Sequence, residues 1–283
     1  MTLQTNLVTP SQRWVPNLQL DPEQSGLPLP RKLIVQWASC EADVRQAQRL
    51  RYQVFAREMG ANLSPPAGCD AGLDADNFDP FCDHLLVKSV DYEDDADALL
   101  VGTYRVLPPD AARRAGGLYI DTEFDLAPLA DLRQCAVELG RSCVHPEWRS
   151  GGVILALWTA LCQYMFLHRL ETMIGCASVG LADGGQGATR LWRSLQCTHL
   201  VDTQWQVQPR QAFPLVLDDG LWPAPANLRG INTTPPLIKG YLRCGARLLG
   251  PPALDAAFNT ADLPMMLRVH ELAPRYRKHF MGA

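Results

Sequence analysis

An acidic residue and a glycine turn lie close together in the middle of the chain. Glu138 falls within an apolar strand pattern, and the turn Arg149-Ser150-Gly151-Gly152 follows, directly before an apolar helix pattern. A glycine turn at a helix start exposes unpaired backbone N–H groups at the positive end of the helix dipole, which favours a phosphorylated ligand. A carboxylate just upstream can accept a proton beside that ligand. The segment therefore predicts a phosphate-binding turn with acid–base chemistry next to it.

Other charged side chains occur within apolar patterns. Arg105 lies in the strand pattern Val-Gly-Thr-Tyr-Arg-Val-Leu, and Glu138 lies in a later one. A buried charge is costly unless it is paired, so we expect both residues to have partners. Arg51 and Phe55 are four residues apart, which places them on one helix face. An arginine at such a position can equally pair with a nearby acid or extend its charge into solvent.

Three aspartates, Asp74, Asp76 and Asp79, lie in one loop, where such residues commonly cap turns. A cysteine and a histidine, Cys143 and His145, alternate on one strand face and suggest a thiol nucleophile. No third residue that would orient them is evident, so this alternative is the weaker one.

Nine cysteines occur in the chain, and no two form a Cys-x-x-Cys pair. An odd number of cysteines without a secretory signal pattern argues against a disulfide framework and against a zinc site. This usage is typical of a reducing cytoplasm. We therefore expect a cytoplasmic protein without a metal site.

Charge is distributed unevenly along the chain. The net charge is -4, yet the residues from 225 onward carry eight Lys and Arg against three Asp and Glu. Such a segment suits an acidic protein partner or an anionic membrane surface, or it is simply a solvated surface. No nucleic-acid-binding motif accompanies it, so nucleic acid is not expected. The longest apolar run, Val153 to Leu167, is too short for a membrane span and predicts a buried helix.

The elements that must position these side chains follow from apolar periodicity. Strands are predicted at 33–37, 84–90, 99–107, 134–144 and 172–179, and helices at 41–59, 152–168, 188–195 and from Pro235-Pro236 to Leu249. The strand–helix–strand unit at 134–179 typically yields two neighbouring strands with the helix packed across them. The pattern predicts an α/β fold around one main mixed sheet.

Several motifs together resemble a known family. Four of them have the order and approximate spacing seen in acyl-homoserine-lactone synthases: Arg51-Tyr-Gln-Val-Phe55, Asp76-Asn-Phe-Asp79, Gly102-Thr-Tyr-Arg105-Val-Leu-Pro and Glu138-Leu-Gly-Arg141. The closer resemblance is to the ornithine lipid N-acyltransferases, sometimes labelled hemolysin-like. It is carried by Asp79-Pro-Phe-Cys-Asp-His-Leu-Leu-Val, Glu-Leu-Gly-Arg-Ser-Cys-Val-His-Pro, Gly175-Cys-Ala-Ser, Pro235-Pro-Leu-Ile-Lys-Gly-Tyr and Phe258-Asn-Thr-Ala-Asp-Leu.

The resemblance implies a GNAT-like acyltransferase fold, with a mixed central sheet, helices on both faces and a C-terminal extension. Residues 1–30 are rich in Pro, Gln and Asn and are predicted to form a flexible N-terminal arm. We expect the GNAT-like catalytic domain to span 31–224. Residues 225–283 are then a basic C-terminal extension packed on the same domain.

The resemblance also implies a reaction. A fatty acyl group, typically 3-hydroxylated, passes from acyl carrier protein to the α-amino group of ornithine and gives lyso-ornithine lipid. The acyl-phosphopantetheine thioester is then a co-substrate, and no cofactor is expected. Because the product is a lipid, contact with the inner membrane is expected. Two alternatives stay open: an N-acyl amino acid or acyl-homoserine-lactone signal synthase, and a non-catalytic, hemolysin-like membrane-active protein.

The candidate residues suit this chemistry. An α-amino group has a pKa of ~7.7–8.0, so much of it is protonated at neutral pH and needs a base. Glu138 is the candidate general base, and Arg105 is assigned with it to the catalytic pair. The resemblance implies that Asp76 and Asp79 hold the cationic acceptor. The full predicted substrate-binding set is Arg51, Phe55, Asp76, Asp79 and Arg141.

The donor is expected to bind at the turn Arg149, Ser150, Gly151 and Gly152. Acyl-CoA users of this fold commonly have a small residue where this chain has Ile154. A branched side chain there hinders a pyrophosphate more than a single phosphate, which favours acyl carrier protein over free CoA. The basic C-terminal segment offers a surface for an acidic carrier.

Overall fold

The computed structural model of the protein describes residues 31–91, 98–149, 152–216 and 234–281. The predicted N-terminal arm, Ser150 and Gly151 lie outside the described residues, as does most of the acidic turn between the second and third predicted strands. The described strands are β1 (Arg31–Trp37), β2 (Asp83–Asp91), β3 (Leu99–Leu107), β4 (Phe124–Asp125), β5 (Ala136–Val144), β6 (Thr172–Gly180), β7 (Gln208–Pro209), β8 (Arg247–Leu248), β9 (Ala253–Asp255) and β10 (Thr260–Arg268).

The helices lie between these strands. They are α1 (Glu41–Tyr52), α2 (Pro109–Ala115), α3 (Ala130–Arg133), α4 (Gly152–Leu167), α5 (Gln186–Leu195), α6 (Pro236–Cys244) and α7 (Pro274–Met281). The predicted first helix is present, although its last part, Gln53–Glu58, is π-helical. Among the described residues, no helix combines the length and the apolar character needed to cross a bilayer.

One mixed sheet organises the chain, in the order β1-β2-β3-β5-β6-β10-β8, with β9 beside β10. Most neighbours are antiparallel, and β5 and β6 are parallel, joined through α4. The predicted strand–helix–strand unit is therefore confirmed. The residues predicted as a C-terminal extension contribute β8, β9 and β10 to this same sheet.

Helices cover both faces of the sheet, as predicted. On β2, the fully buried Leu85 and Val87 point towards the core that includes α4, while Leu86 between them packs against the apolar side of α1. Successive side chains of a strand point to opposite faces, so α1 and α4 lie on opposite sides of the sheet. Leu85, Leu86 and Val87 are thus covered on both faces of the sheet, which explains this short apolar run within β2.

The parallel ladder between β5 and β6 is short. It runs from the pair Ala136–Thr172 to the pair Glu138–Ile174, and no further ladder pairs join the described residues of the two strands. Beyond this point Gly175 faces the Leu139 carbonyl so closely that a Cβ would lie 2.2 Å from its oxygen. A side chain at residue 175 would therefore force the strands apart.

The last part of the chain differs from the prediction. The helix predicted to reach Leu249 ends at Cys244, so that boundary was wrong. Gly245 follows in the left-handed region at φ +109°, and its backbone N–H closes the last turn of α6. A left-handed glycine after a helix is a common termination signal. The chain then forms three short to medium strands that the periodicity did not predict.

Candidate active site

Glu138 is buried at the end of the parallel ladder. Its Oε2 accepts the backbone N–H of Tyr119 at 2.6 Å, and its Oε1 accepts that of Ile120 at 2.7 Å. Burial raises the pKa of Glu138 to about 7, although these two N–H groups and the nearby Arg105 act in the opposite direction. A carboxylate poised near neutrality is suited to general base catalysis.

A cavity of about 360 Å³ lies against Glu138. Its walls include the stretch of β5 from Leu139 to Val144 and the stretch of β6 from Cys176 to Ser178, so it occupies the region where the two strands no longer pair. The structure brings predicted site residues together along its wall, namely Phe55, Arg105, Glu138, Arg141 and Arg149. Arg51, Asp76 and Asp79 are not part of that wall.

Asp79 lies in a buried ion-pair network instead. Its Oδ2 accepts hydrogen bonds from Arg51 Nη2 at 2.6 Å and from Gln48 Nε2 at 2.9 Å, and its Oδ1 accepts one from Arg105 Nη1 at 3.0 Å. Burial alone would raise the pKa of Asp79, but Arg51 and Arg105 outweigh it and hold the pKa well below its usual value. Asp79 is thus a fully engaged, ionised carboxylate.

The same network engages the other loop aspartates. Asp76 Oδ2 lies 2.6 Å from Arg105 Nη1 and 3.4 Å from Arg141 Nη2, and Asp74 Oδ2 lies 2.9 Å from Arg51 Nε. The expectation that Arg105 is paired is confirmed. Because arginines already neutralise Asp76 and Asp79, the geometry argues against their predicted contact with a cationic acceptor.

Arg141 carries positive charge into the cavity wall. Its backbone adopts the left-handed region at φ +52°, which is uncommon for a residue with a side chain. Its guanidinium carbon lies 4.7 Å from the centre of the Tyr119 ring and 4.6 Å from that of Phe258. Phe55 packs edge-on against Phe258. Cation–π contacts of this kind hold the guanidinium in place, where it can meet a carboxylate or a carbonyl.

A second, apolar cavity of about 70 Å³ adjoins the first and shares with it Tyr104 and Tyr241. The hydroxyl groups of these two tyrosines hydrogen-bond each other. Along α4 this cavity is bounded by Trp158, Leu161 and Cys162. This arrangement leaves an apolar space along α4.

The predicted donor turn is described in part. Arg149 forms a bidentate ion pair with Glu58, with N–O distances of 2.5 and 2.7 Å. Gly152 is the first residue of α4, as predicted. Ile154 and Arg149 both line the cavity of about 360 Å³ beside Glu138, hereafter the reaction cavity. Any phosphate that binds Arg149 must therefore compete with Glu58.

Comparison with known proteins identifies the family. Residues 50–159 match the model of the acetyltransferase (GNAT) domain. The chain is 36% identical over 247 residues to the L-ornithine N(alpha)-acyltransferase of Rhizobium meliloti, covering 86% of this chain and 82% of the relative. It is 35% identical over 242 residues to that of Rhodobacter capsulatus, covering 84% and 90%. The chain belongs to the L-ornithine N(alpha)-acyltransferase family.

Solved structures resemble this acyltransferase at lower identity. The AHL synthase LasI is 14% identical, with a TM-score of 0.49, and the alignment covers 89% of this chain and 95% of LasI. FeeM, an N-acyl amino acid synthase from uncultured soil microbes, is 11% identical with a TM-score of 0.49, covering 85% and 92%. The GNAT fold predicted from the motifs is confirmed by the family model.

The acyltransferase site contains residues that the sequence analysis did not single out. Tyr104, Tyr119, Tyr241, Asp255 and Asp262 all line the reaction cavity. The signal for Asp262 was present, since it belongs to the motif Phe-Asn-Thr-Ala-Asp-Leu, but no chemistry was attached to it. The tyrosines lie in ordinary apolar patterns, where an aromatic residue most often belongs to the core.

The alternative thiol nucleophile is not favoured in this acyltransferase. Cys143 is buried, and burial raises the pKa of its thiol to about 12. A thiol with such a pKa is protonated at neutral pH and is a poor nucleophile.

One group among the described residues has the donor types of a metal site. The Glu123 and Asp262 carboxylates and the Cys176 thiol have donor atoms within 4.8 Å of one another. Burial raises the pKa of the Cys176 thiol well above its usual value, and the neighbouring acids raise it further. Metal binding needs the thiolate, so this donor set is poorly prepared for an ion.

Proposed function

We propose that the protein transfers a fatty acyl group, typically 3-hydroxylated, from acyl carrier protein to the α-amino group of L-ornithine, which gives lyso-ornithine lipid. The observation that carries this proposal is Glu138, a buried carboxylate with a pKa near 7, placed in a cavity that adjoins an apolar one. The relatives named L-ornithine N(alpha)-acyltransferase support the choice of acceptor.

The reaction removes two protons from the acceptor nitrogen and includes one nucleophilic attack. Glu138, directly or through a water molecule, removes a proton from the α-ammonium group, and the free amine attacks the thioester carbonyl. Backbone N–H groups of the strands near Glu138 stabilise the oxyanion that develops. The intermediate gives its second N–H proton to the departing sulfur as the C–S bond breaks. The phosphopantetheine arm therefore leaves as a thiol, and the proton held by Glu138 passes to solvent.

Positioning of the two substrates is assigned to different parts of the cavity. Arg141 offers a fixed guanidinium to the α-carboxylate of the acceptor. The apolar cavity along α4 accepts the acyl chain. Arg149 and the start of α4 bind the phosphate of the donor, and Ile154 beside them favours a single phosphate over the pyrophosphate of CoA.

The product is a lipid, so the enzyme is proposed to work in the cytoplasm at the surface of the inner membrane. Phe166 and Leu167 at the end of α4 are 68% and 67% exposed, which is unusual for large apolar side chains. Arg169 follows in the same turn and adds positive charge. This corner of the molecule is suited to shallow contact with an anionic bilayer.

The test is direct product identification. Purified protein is incubated with 3-hydroxyacyl carrier protein and a panel of acceptors that includes ornithine, lysine, glycine and S-adenosylmethionine, and products are identified by mass spectrometry. We expect N-acylated ornithine as the main product. Acyl-homoserine lactone, or no acylated product, would overturn the proposal. Equal turnover with acyl-CoA at the same concentration would overturn the choice of carrier protein as donor.

A further inference from the structure

Two carboxylates lie together beside the reaction cavity. Asp262 lines the cavity and is 4% exposed, and Glu123 lies next to it. Among the described residues no lysine or arginine forms an ion pair with either. This contrasts with Asp79, where two arginines and an amide engage both oxygens.

The hydrogen bonds of this pair are incomplete. Asp262 Oδ1 accepts a hydrogen bond of 2.7 Å from the Thr260 hydroxyl, and Glu123 Oε2 accepts one of 3.3 Å from the Cys176 thiol. The other carboxylate oxygen of Glu123, Oε1, is buried and has no hydrogen-bond partner among the described residues. A buried acceptor without a donor is costly and rare in native proteins, so a donor from outside the chain is expected there.

The electrostatics of the pair point to a cation. Burial and the proximity of Asp262 raise the pKa of Glu123 to about 8, while Arg141 acts in the opposite direction. The pKa of Asp262 is also raised, chiefly by burial. When the cavity is empty, the pair therefore tends to hold a proton. A cation that enters would restore the ionised form and supply the missing donor.

The position of the pair relative to the base suits a diamino acid. Cys176, which contacts Glu123, lies two residues beyond Ile174, the register partner of Glu138. Residues two apart on a strand share one face and are separated by about 7 Å. One amine held at Glu138 and a second amine held near Cys176 are thus separated by a short aliphatic spacer.

We propose that Asp262 and Glu123 bind the side-chain ammonium of the acceptor and thereby select a diamino acid over neutral amino acids. This assignment rests on the proposed function and deepens it. An ammonium group has three N–H donors, and it can meet the orphaned Oε1 of Glu123 and the carboxylate of Asp262 together. Asp262 and Glu123 thus take the place of Asp76 and Asp79, which the resemblance assigned to the cationic acceptor.

The test compares ornithine with norvaline, which has the same carbon chain without the terminal amine. The variants are Asp262→Asn, Glu123→Gln and the double variant, and the exposed Asp131→Asn serves as the matched control. We expect wild type and the control to prefer ornithine strongly. In the cavity variants KM for ornithine should rise roughly 10- to 100-fold, so the preference for ornithine over norvaline in kcat/KM should fall by a similar factor.

The outcomes separate the two proposals. Wild-type protein that acylates neither amino acid contradicts the proposed function itself. Wild-type acylation of ornithine, combined with an unchanged ornithine preference in all three cavity variants, overturns the assignment of the pair and leaves the function standing. Norvaline turnover in each variant shows that the fold and the base are intact. Loss of the ornithine preference on addition of EDTA would show that the pair holds a metal ion and would also overturn the assignment.

Discussion

Glu138 and Ile174 form the last parallel pair between β5 and β6. The carboxylate that serves as the proposed base is therefore fixed to the final rung of the ladder, and the cavity begins directly beyond it. Backbone groups of β5 beyond this pair face the cavity, and among the described residues no strand pairs with them on that side. The end of one strand pairing thus sets the place of the proposed chemistry.

The pH dependence of catalysis should report the pKa of Glu138. Because the base must be deprotonated and its pKa is raised to about 7, kcat/KM of the wild type should fall as the pH drops through 7. Glu138→Gln should lower kcat/KM by roughly 10²- to 10⁴-fold and remove this limb of the profile. The measurement is a pH–rate profile with acyl carrier protein as donor. A variant that keeps the limb would contradict the assignment.

The same substitution has a structural effect that needs its own control. Each carboxylate oxygen of Glu138 accepts a backbone N–H, so a glutamine must point its own NH₂ group at one of them. Thermal denaturation of Glu138→Gln shows whether the fold survives. A loss of activity supports Glu138 as the general base only when the variant is folded.

The Asp79 network should contribute to stability rather than to chemistry. Asp79→Asn leaves Arg51 and Arg105 buried with one charge partner fewer, which typically costs about 3–5 kcal/mol. Urea denaturation at pH 7 measures this against the exposed control Asp131→Asn. An Asp79→Asn variant as stable as the control would contradict the role.

The pH dependence of this contribution has a definite sign. The folded-state pKa of Asp79 lies below the ordinary value of 3.8, so its stabilisation is present above that value and is lost as the pH falls further. The difference between wild type and Asp79→Asn should therefore narrow in strong acid. A difference that grows in acid would be inconsistent with the lowered pKa.

The apolar cavity should set the accepted chain length. Cys162 borders it, and a phenyl ring would fill much of a space of about 70 Å³. Cys162→Phe should shift the product distribution towards shorter acyl chains, measured by mass spectrometry with a mixture of acyl carrier proteins. Cys197→Phe, at an exposed cysteine, is the matched control. Identical distributions in both variants would show that the chain lies elsewhere.

The ion pair between Arg149 and Glu58 should compete with the donor phosphate. Glu58→Gln frees the guanidinium and should lower KM for acyl carrier protein, whereas Arg149→Ala should raise it, with kcat changed little in both. Glu147→Gln removes a nearby exposed carboxylate and serves as the control. Steady-state kinetics at fixed ionic strength measure KM for acyl carrier protein. Equal KM values for all variants would exclude a phosphate contact at Arg149.

Features that depend on local periodicity could be predicted from the sequence. The β5–α4–β6 unit is confirmed because a strand, an apolar helix and a second strand leave a distinct pattern, and the register then places Glu138 beside β6. The pairing of Arg105 is confirmed because a charge in an apolar strand requires a partner. The identity of its partner could not be predicted, because Asp76 lies in a loop 29 residues earlier in the chain.

The strand β10 could not be predicted because a proline lies at its centre. Pro264 cannot donate a ladder hydrogen bond, and a proline within a strand pattern argues against a strand. In the structure β9 pairs with residues up to Asp262, and β8 pairs from Met265 onward. Pro264 falls between these two partners, where its missing N–H does no harm. The acid Asp262 was overlooked as a cavity residue for the same reason.

The position of β10 has a consequence for biosynthesis. The ribosome adds Glu138 well before Tyr241 and Asp262, which line the same cavity. Until β10 has emerged, one edge of β6 lacks the neighbour that it has in the finished sheet. An unpaired edge invites association with other chains. A nascent chain that has completed β6 and not yet β10 is therefore expected to be inactive and prone to associate.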